Sequence, residues 1–190
     1  MDNIDHKQIF GTPILIFKNV YNLSDTEFKH IDNISKGGKT TNVDISTSLK
    51  HKIDECARKY VDDVICVDNH FEITSSWIAR SLDTHVTHTH KNCIFSAVYY
   101  AKADNAEINF YRPNNIITDA YNFDLNYKKW NEYNSTQYTF IVKTGDVIIF
   151  PGHILHEGVN LSKEEKIIIG ANYFIRGQVG KREMVTELVI

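Results

Sequence analysis

The chain has 190 residues, a formal net charge of −3 at pH 7 and 42% hydrophobic residues. A sequence of this length and apolar content is most simply one domain, spanning residues 1–190, with enough apolar surface for a packed core. The slightly acidic charge provides no basic surface for nucleic acid, and no apolar run reaches the ~18 residues that a membrane span needs.

The cysteines and the first residues both indicate a cytoplasmic protein. Cys56, Cys66 and Cys93 have no paired spacing, which is typical of reduced thiols. The N-terminal stretch MDNIDHKQ is polar and does not have the pattern of a signal peptide. We therefore expect a protein that contacts neither a membrane nor nucleic acid.

The N-terminal part, residues 1–69, is predicted to contain one strand and two supporting helices. The stretch IFGTPILIFKNV, residues 9–20, has the composition of a strand. Ser24, with Glu27 three residues later, is a capping-box pattern that begins a short helix. From 44 to 64, apolar residues recur at three- and four-residue steps, which predicts an amphipathic helix with one buried face.

From residue 70 to 178 the sequence changes to short β-rich runs. Eight of them follow one another, most of them separated by turn residues: HFEITSSWIA, THVTHTH, IFSAVYYA, AEINFY, YTFIV, DVIIF, ILHEGV and KIIIGANYFI. Their spacing predicts a mainly β fold with N-terminal helices (α+β), whose core is a double-stranded β-helix, also described as a jelly roll or cupin-like barrel. The helices would pack on the outside of one sheet.

Two connecting segments leave alternatives open. The long connection over 113–136 is rich in Asn and Tyr, and is either a lid over a binding site or an ordinary surface insertion. The C-terminal stretch GKREMVTELVI is either a final strand or an arm that joins two copies in a homodimer.

Three histidines lie close together in HVTHTH, at the end of one predicted strand. Because side chains alternate between the faces of a strand, His88 and His90 point the same way and His85 points the other way. Two imidazoles so placed are close enough to share one metal ion. His85 is therefore expected to be a polar surface or packing residue.

A third metal ligand is available further along the chain. GDVIIFPGHILHEGVN predicts a strand, a Pro-Gly turn and a second strand, and it carries His153 and His156. His153 is a turn residue three positions from His156, so we select His156 as the ligand. Three histidines leave coordination positions open, which a catalytic metal needs and a structural metal does not.

Four stretches together resemble a known family. SSWIARSLDTHVTHTHKNCIFSAVYY, EINFYRP, GDVIIFPGHILHEGVN and KIIIGANYF are similar to 2-oxoglutarate/Fe(II)-dependent oxygenases of the prolyl-hydroxylase-like superfamily. Within it they most resemble an uncharacterised bacterial and phage group with a Trp before an HxH motif and VYY after it. The resemblance implies Fe(II) as cofactor, 2-oxoglutarate as cosubstrate, and hydroxylation of a C–H bond by O2 with release of succinate and CO2.

The resemblance also implies the ligands of the metal and of the cosubstrate. His88 and His156 match the first and the distal metal ligands, and His90 stands where most members carry Asp or Glu. Lys166 stands ten residues after His156, where many members have an Arg that binds the distal carboxylate of 2-oxoglutarate. A lysine can supply the charge of that Arg but not its bidentate fork.

Further residues are expected around the same site. Tyr100 and Ser96 share the inner face of their strand, and Tyr100 is expected to donate a hydrogen bond to the cosubstrate. Asn172 shares a face with Lys166 and would point into the barrel, whereas Tyr99 and Trp77 are expected to be packing residues. Arg112 either binds an acidic group of the substrate at the barrel mouth or is a solvated turn residue.

A histidine in place of the usual carboxylate keeps other readings open. A carboxylate from Glu107, Glu157 or Asp83 could complete the metal shell. A cupin-type dioxygenase with three histidines at its iron would need no 2-oxoglutarate, although no Glu follows His90 at the cupin spacing. A zinc protein, either a hydrolase or a binding module, would suit the same three histidines. The substrate, whether a small molecule or a protein side chain, is not identified by the sequence.

Overall fold

A computed structural model describes residues 11–36, 40–41, 45–112 and 124–190. Within these residues the chain forms two α-helices, α1 (Asp25–Ser35) and α2 (Thr47–Tyr60). The strands are, in chain order, β1 (Leu15–Phe17), β2 (Thr40–Thr41), β3 (His70–Ser81), β4 (Phe95–Lys102), β5 (Ala106–Tyr111), β6 (Gln137–Val142), β7 (Val147–Pro151), β8 (His156–Asn160), β9 (Lys166–Arg176), β10 (Gln178–Val179) and β11 (Leu188–Val189).

Both helices begin after serine N-caps, at Ser24 as the sequence predicts and at Ser46 for α2. Ser24 Oγ accepts the N–H of Glu27, and the Glu27 carboxylate accepts the N–H of Ser24, which completes the capping box. The same carboxylate accepts the hydroxyl of Ser46, the N-cap of α2, at 2.7 Å. Burial alone would raise the pKa of Glu27, but hydrogen bonds from Ser24, Ser46 and Tyr21 lower it to about 2. One carboxylate therefore joins the N-termini of the two helices.

Apart from β10 and β11, the described strands form two antiparallel sheets that face each other. The larger sheet has the order β1-β7-β4-β9-β3-β2, and the smaller has the order β6-β5-β8. Seven of the eight predicted β-rich runs form strands at their predicted places. The exception is THVTHTH, which makes only an isolated bridge between His88 and His156.

The larger sheet is buried on both faces. Along β4, Phe95, Ala97 and Tyr99 pack against the helices, while Val98 and Tyr100 point toward the smaller sheet. Period-two alternation with apolar residues on both faces explains why this strand is almost entirely buried. The helices cover the outer face, as predicted.

The space between the two sheets contains a second apolar cluster. Tyr100, Phe150 and Ile168 of the larger sheet pack there against Ile108 and Phe110 of the smaller one. This is the predicted double-stranded β-helix. Part of the space between the sheets remains open as a cavity.

The C-terminal stretch and the connection before β6 lie at the edges of the fold. β10 and β11 pair with each other, so the C-terminal stretch contains a final strand, and the homodimer stays a prediction. Of the predicted lid over 113–136, residues 113–123 lie outside the described part, and 124–136 form no helix or strand. Among the described residues, no helix is long and apolar enough to cross a membrane.

Candidate metal centre

The three histidines selected from the sequence meet at one place between the sheets. His88, His90 and His156 each offer a ring nitrogen, and these nitrogens lie within 4.8 Å of one another. The ring centroids are separated by 5.3 Å for His88 and His90, 4.5 Å for His88 and His156, and 4.9 Å for His90 and His156. This group could hold a metal ion.

Backbone hydrogen bonds bring the two ligand-bearing segments together. The N–H of His88 donates to the carbonyl of His156 at 2.9 Å, and the N–H of His156 donates back at 3.0 Å. The N–H of His90 donates to the carbonyl of Gly152 in the turn before β8, at 2.8 Å. The segment between β3 and β4 is thereby held alongside β8 without forming a continuous strand.

Each imidazole has a partner at Nδ1. His88 Nδ1 contacts the carbonyl of Val86 at 2.7 Å, and His156 Nδ1 contacts the carbonyl of Ile154 at 2.9 Å. A carbonyl oxygen can only accept, so these bonds place the proton on Nδ1 and leave the lone pair on Nε2. Such contacts orient a ligating histidine and fix its tautomer.

His90 is oriented by a pair of polar side chains. Its Nδ1 lies 2.9 Å from Asn172 Oδ1 and is also hydrogen-bonded to Ser96 Oγ. Ser96 in turn donates to Asn172 Oδ1 at 2.7 Å, and Asn172 Nδ2 donates to Ser75 at 3.2 Å. Ser96 and Asn172 thus contact His90 and are not among the residues that line the cavity, and their binding of the cosubstrate stays a prediction.

Burial keeps the deepest histidine neutral. His156 is 4% exposed, and removal from water lowers its pKa to about 4, an effect that the nearby His88 increases. At pH 7 its Nε2 lone pair is therefore available to a metal without prior loss of a proton.

No carboxylate joins the histidine group among the described residues. Glu157, one of the carboxylates considered from the sequence, accepts hydrogen bonds from Asn109, Tyr111 and Thr87 instead. Glu107 and Asp83 are likewise outside the group. The protein ligands brought together here are three imidazoles.

The histidines line a cavity of about 390 Å³ between the two sheets. Its walls combine apolar side chains with a few nitrogen-bearing ones: Trp77, Ala79, Val86, Val98, Tyr100, Ile108 and Ile168, with His85, His88, His90, His156 and Lys166. A largely apolar pocket with a small number of convergent polar groups is the usual form of a small-molecule site.

Lys166 is a buried cation in this cavity. Lys166 is 2% exposed, and its Nζ has no hydrogen-bond partner among the described residues. Burial lowers its pKa to about 8. Nζ lies 3.0 Å from the position that a Cβ on Gly158 would occupy, so any larger residue there would crowd the ammonium. A buried ammonium without an acceptor is unfavourable, and the open space next to it fits a carboxylate.

The two adjacent tyrosines of β4 lie on the sides that the sequence predicts. Tyr100 lines the cavity, and burial raises the pKa of its hydroxyl, which keeps the phenol protonated as a hydrogen-bond donor. Tyr99 points to the helices and donates to the carbonyl of Tyr21 at 3.0 Å.

Trp77 and His85 also form part of the cavity wall. Trp77 packs against the apolar cluster between the sheets, as the sequence predicts, and its ring also stands edge-on to His90, with ring centroids 5.0 Å apart. His85 lines the cavity although it was expected on the opposite face from His88. The available signal for Trp77 was Gly170, its cross-strand partner, where an added Cβ would lie 2.1 Å from the indole.

Arg112 lies outside the metal cavity. Its guanidinium donates to the carbonyls of Tyr133 and Glu132, and it lines a separate cavity of about 320 Å³ with Tyr138 and Phe140. Its predicted contact with a substrate at the metal site has no support in this arrangement, because its donors hold the chain before β6.

The fold and the histidine group define a double-stranded β-helix protein able to hold a metal ion. Residues 75–172 match a family model described as "Putative 2OG-Fe(II) oxygenase", and the match spans just over half of the chain. The chain belongs to this family of 2-oxoglutarate/Fe(II)-dependent oxygenases. It is thus a non-haem iron enzyme with Fe(II) as cofactor and 2-oxoglutarate as cosubstrate. No curated protein matches the sequence.

Several solved structures have a similar fold. The non-heme alpha ketoglutarate dependent carbocyclase SnoK from nogalamycin biosynthesis is 11% identical, with a TM-score of 0.57 over 88% of this chain and 81% of that one. The epimerase SnoN from the same biosynthesis is 10% identical, with a TM-score of 0.55 over 86% and 78%. The viral collagen prolyl hydroxylase of Paramecium Bursaria Chlorella virus-1 is 16% identical, with a TM-score of 0.53 over 91% and 97%. At these identities the likeness concerns the fold.

Proposed function

We propose that this oxygenase hydroxylates a C–H bond of a small molecule or a protein side chain, with Fe(II) held by His88, His90 and His156 and 2-oxoglutarate held by Lys166. The observation that carries the proposal is the buried ammonium of Lys166, which lies in the same cavity as the three imidazoles and lacks an acceptor among the described residues. When bound, Fe(II) and 2-oxoglutarate supply the decarboxylation to succinate and CO2 that activates O2 for C–H oxidation.

The three imidazoles suit a metal that must keep open positions. Three protein ligands on an octahedral ion leave three positions, enough for a bidentate 2-oxo acid and O2. Because all three ligands are neutral, they leave the full charge of the ion uncompensated. Such a site attracts an anionic chelator more strongly than one that already contains a carboxylate.

The remaining cavity residues supply binding and exclude water. Lys166 provides the positive charge for the distal carboxylate, and the Tyr100 phenol provides a donor in the same cavity. Val98, Ile108 and Ile168 form apolar walls that keep water from the reacting groups. His88 and Val86 are exposed, so the substrate is expected to approach from their side.

The proposal is tested by an anaerobic titration of metal-free protein, first with Fe(II) and then with 2-oxoglutarate. We expect a visible metal-to-ligand charge-transfer band from the chelate, absent in His156→Ala. His153→Ala, at an exposed turn position three residues away, should retain the band and serves as the matched control.

Each other outcome assigns a different function. Iron binding without the band would favour the three-histidine dioxygenase that needs no 2-oxoglutarate, for which the carboxylate-free ligand group is the supporting observation. Binding of zinc but not iron would contradict the proposed oxygenase chemistry at this site.

A further inference from the structure

Two nitrogen-bearing side chains border the backbone of Gly158 on β8. A Cβ added at Gly158 would lie 3.0 Å from Lys166 Nζ and 3.8 Å from His85 Nδ1. Both side chains line the metal cavity, and they reach this place from different segments of the chain. A side chain at Gly158 would crowd the ammonium, so the glycine allows both Lys166 and His85 to border the cavity at this place.

One extra residue opposite β8 places His85 on the side of the cavity. The N–H of His85 donates to the carbonyl of Gly158 at 2.9 Å, while His88 is paired with His156. Three residue steps from His85 to His88 therefore lie opposite two residue steps from His156 to Gly158 on β8. The one extra residue reverses the alternation of side chains, so His85 and His88 point to the same side instead of opposite sides.

Gly158 lies at a distance from the metal ligand His156 that a short dicarboxylic acid can span. Gly158 and His156 are two residues apart and therefore share a face of the strand. Their separation along the strand is about 6.6 Å. A short dicarboxylic acid that chelates a metal at the histidines could extend its other carboxylate toward Gly158.

A carboxylate has more acceptor capacity than one ammonium satisfies. Its two oxygens offer about four lone-pair positions, and an imidazole N–H provides one further donor whether the ring is neutral or charged. We propose that His85 is a second anchor, with Lys166, for the distal carboxylate of the 2-oxo acid. This inference rests on the proposed function, since it assumes that the cosubstrate is chelated at the histidines.

The consequence is selectivity for dicarboxylic over monocarboxylic 2-oxo acids. Lys166 supplies charge without direction, whereas a hydrogen bond from His85 depends on where the second carboxylate lies. A 2-oxo acid of the same length that ends in a methyl group gains nothing from either residue. His85 therefore contributes to the choice of cosubstrate and not to metal binding.

The test compares two probes on the Fe(II)-loaded protein without O2. The charge-transfer band is titrated with 2-oxoglutarate and with 2-oxopentanoate, which has a methyl group in place of the distal carboxylate. His85→Ala and His85→Phe both remove the donor, and the Phe variant keeps the ring volume in case the Ala variant does not fold. His153→Ala is the control for loss of a nearby histidine.

We expect both His85 variants to bind 2-oxoglutarate about tenfold more weakly while binding 2-oxopentanoate as the wild type does, since a hydrogen bond to a charged group is lost only for the first acid. An unchanged preference for 2-oxoglutarate in either variant would overturn the inference, as would an equal loss for both acids, which would make His85 a structural residue. Failure of the wild type to form any band would instead contradict the proposed function.

Discussion

Lys166 is a buried cation whose ammonium finds no acceptor among the described residues, and whose pKa is lowered by burial to about 8. A buried lysine of this kind should bind an anion tightly, because without the anion neither water nor a protein group stabilises its charge. Its charge is also close to being lost at moderately alkaline pH. Both properties lead to measurable effects.

The affinity for 2-oxoglutarate should depend on the protonation of Lys166. Because only the ammonium form attracts the carboxylate, we expect the apparent Kd to rise about tenfold between pH 7 and pH 9, as the pH passes a pKa near 8. Lys166→Arg keeps its charge throughout this range and should give a nearly flat profile. The measurement is the anaerobic charge-transfer titration at each pH, and equal slopes for the two proteins would contradict the assignment.

Replacing the same lysine should stabilise the metal-free protein. The pKa of Lys166 falls from 10.5 to about 8, and this disfavours the charged folded state by roughly 3 kcal/mol. The folded pKa lies below the unfolded one, so the penalty is complete below pH 8, shrinks as pH rises, and disappears above 10.5. Lys166→Met should therefore raise the free energy of unfolding at pH 7 by up to about 3 kcal/mol.

Chemical denaturation of the metal-free protein measures this effect. Lys143→Met, at an exposed position, is the control and should change the free energy of unfolding little. If Lys166→Met is no more stable than the wild type at pH 7, or if its advantage persists above pH 10.5, the burial penalty is not the cause.

At the scale of elements, the cross-strand register between β3 and β9 determines which side chains form the cavity wall. Trp77 on β3 is the cross-strand partner of Gly170 on β9. An added Cβ at Gly170 would lie 2.1 Å from the indole, so the glycine allows the ring to lie against the backbone. The ring then reaches His90 edge-on.

Gly170→Ala should displace this indole. We expect a loss of about 1–3 kcal/mol in unfolding free energy from overpacking, together with weaker Fe(II) binding because Trp77 moves relative to His90. A smaller ring should relieve the conflict, so Gly170→Ala combined with Trp77→Phe should recover most of both losses. Denaturation and Fe(II) titration of the two single variants and the double variant form the test. Additive losses would show that the two residues do not compete for the same space.

The sequence predicts the elements better than the details of the site. Strands such as β4 and β9 could be assigned because apolar and β-branched runs are bounded by turn residues. The Ser24 capping box marks the first helix, and apolar periodicity marks the second. The convergence of His88 and His90 with His156 also follows from period-two alternation and one downstream strand.

The positions of the remaining site residues depend on structural features that sequence spacing does not predict. His85 was assigned to the wrong face because a single extra residue opposite β8 reverses the alternation. Trp77 packs against the core as predicted, but its contact with His90 depends on the cross-strand register with Gly170. Ser96 and Asn172 are predicted to bind the cosubstrate; spacing does not predict that both also contact and orient the His90 ring. Each of these outcomes depends on pairing between distant segments.

At the scale of the whole molecule, the candidate metal ligands are connected to both sheets. His156 begins β8 of the smaller sheet, whereas His90 is held by Ser96 and Asn172 on β4 and β9 of the larger sheet. His88 lies between them on the segment that pairs with His156. A metal ion bound by all three would join the two sheets at one edge of the cavity.

Metal binding should therefore stabilise the whole fold. An ion that binds only the folded protein adds about 2.7 kcal/mol at a concentration of 100 Kd, which for a chain of this size raises Tm by roughly 5–10 °C. We expect this rise with Fe(II) under anaerobic conditions, its reversal by a chelator, and its loss in His156→Ala but not in His153→Ala. The amide protons of His88 and His156, which form the bridge between the segments, should also exchange more slowly when the metal is bound. If the His156→Ala protein gains as much in Tm as the wild type, the ion binds elsewhere, and the three histidines do not join the two sheets.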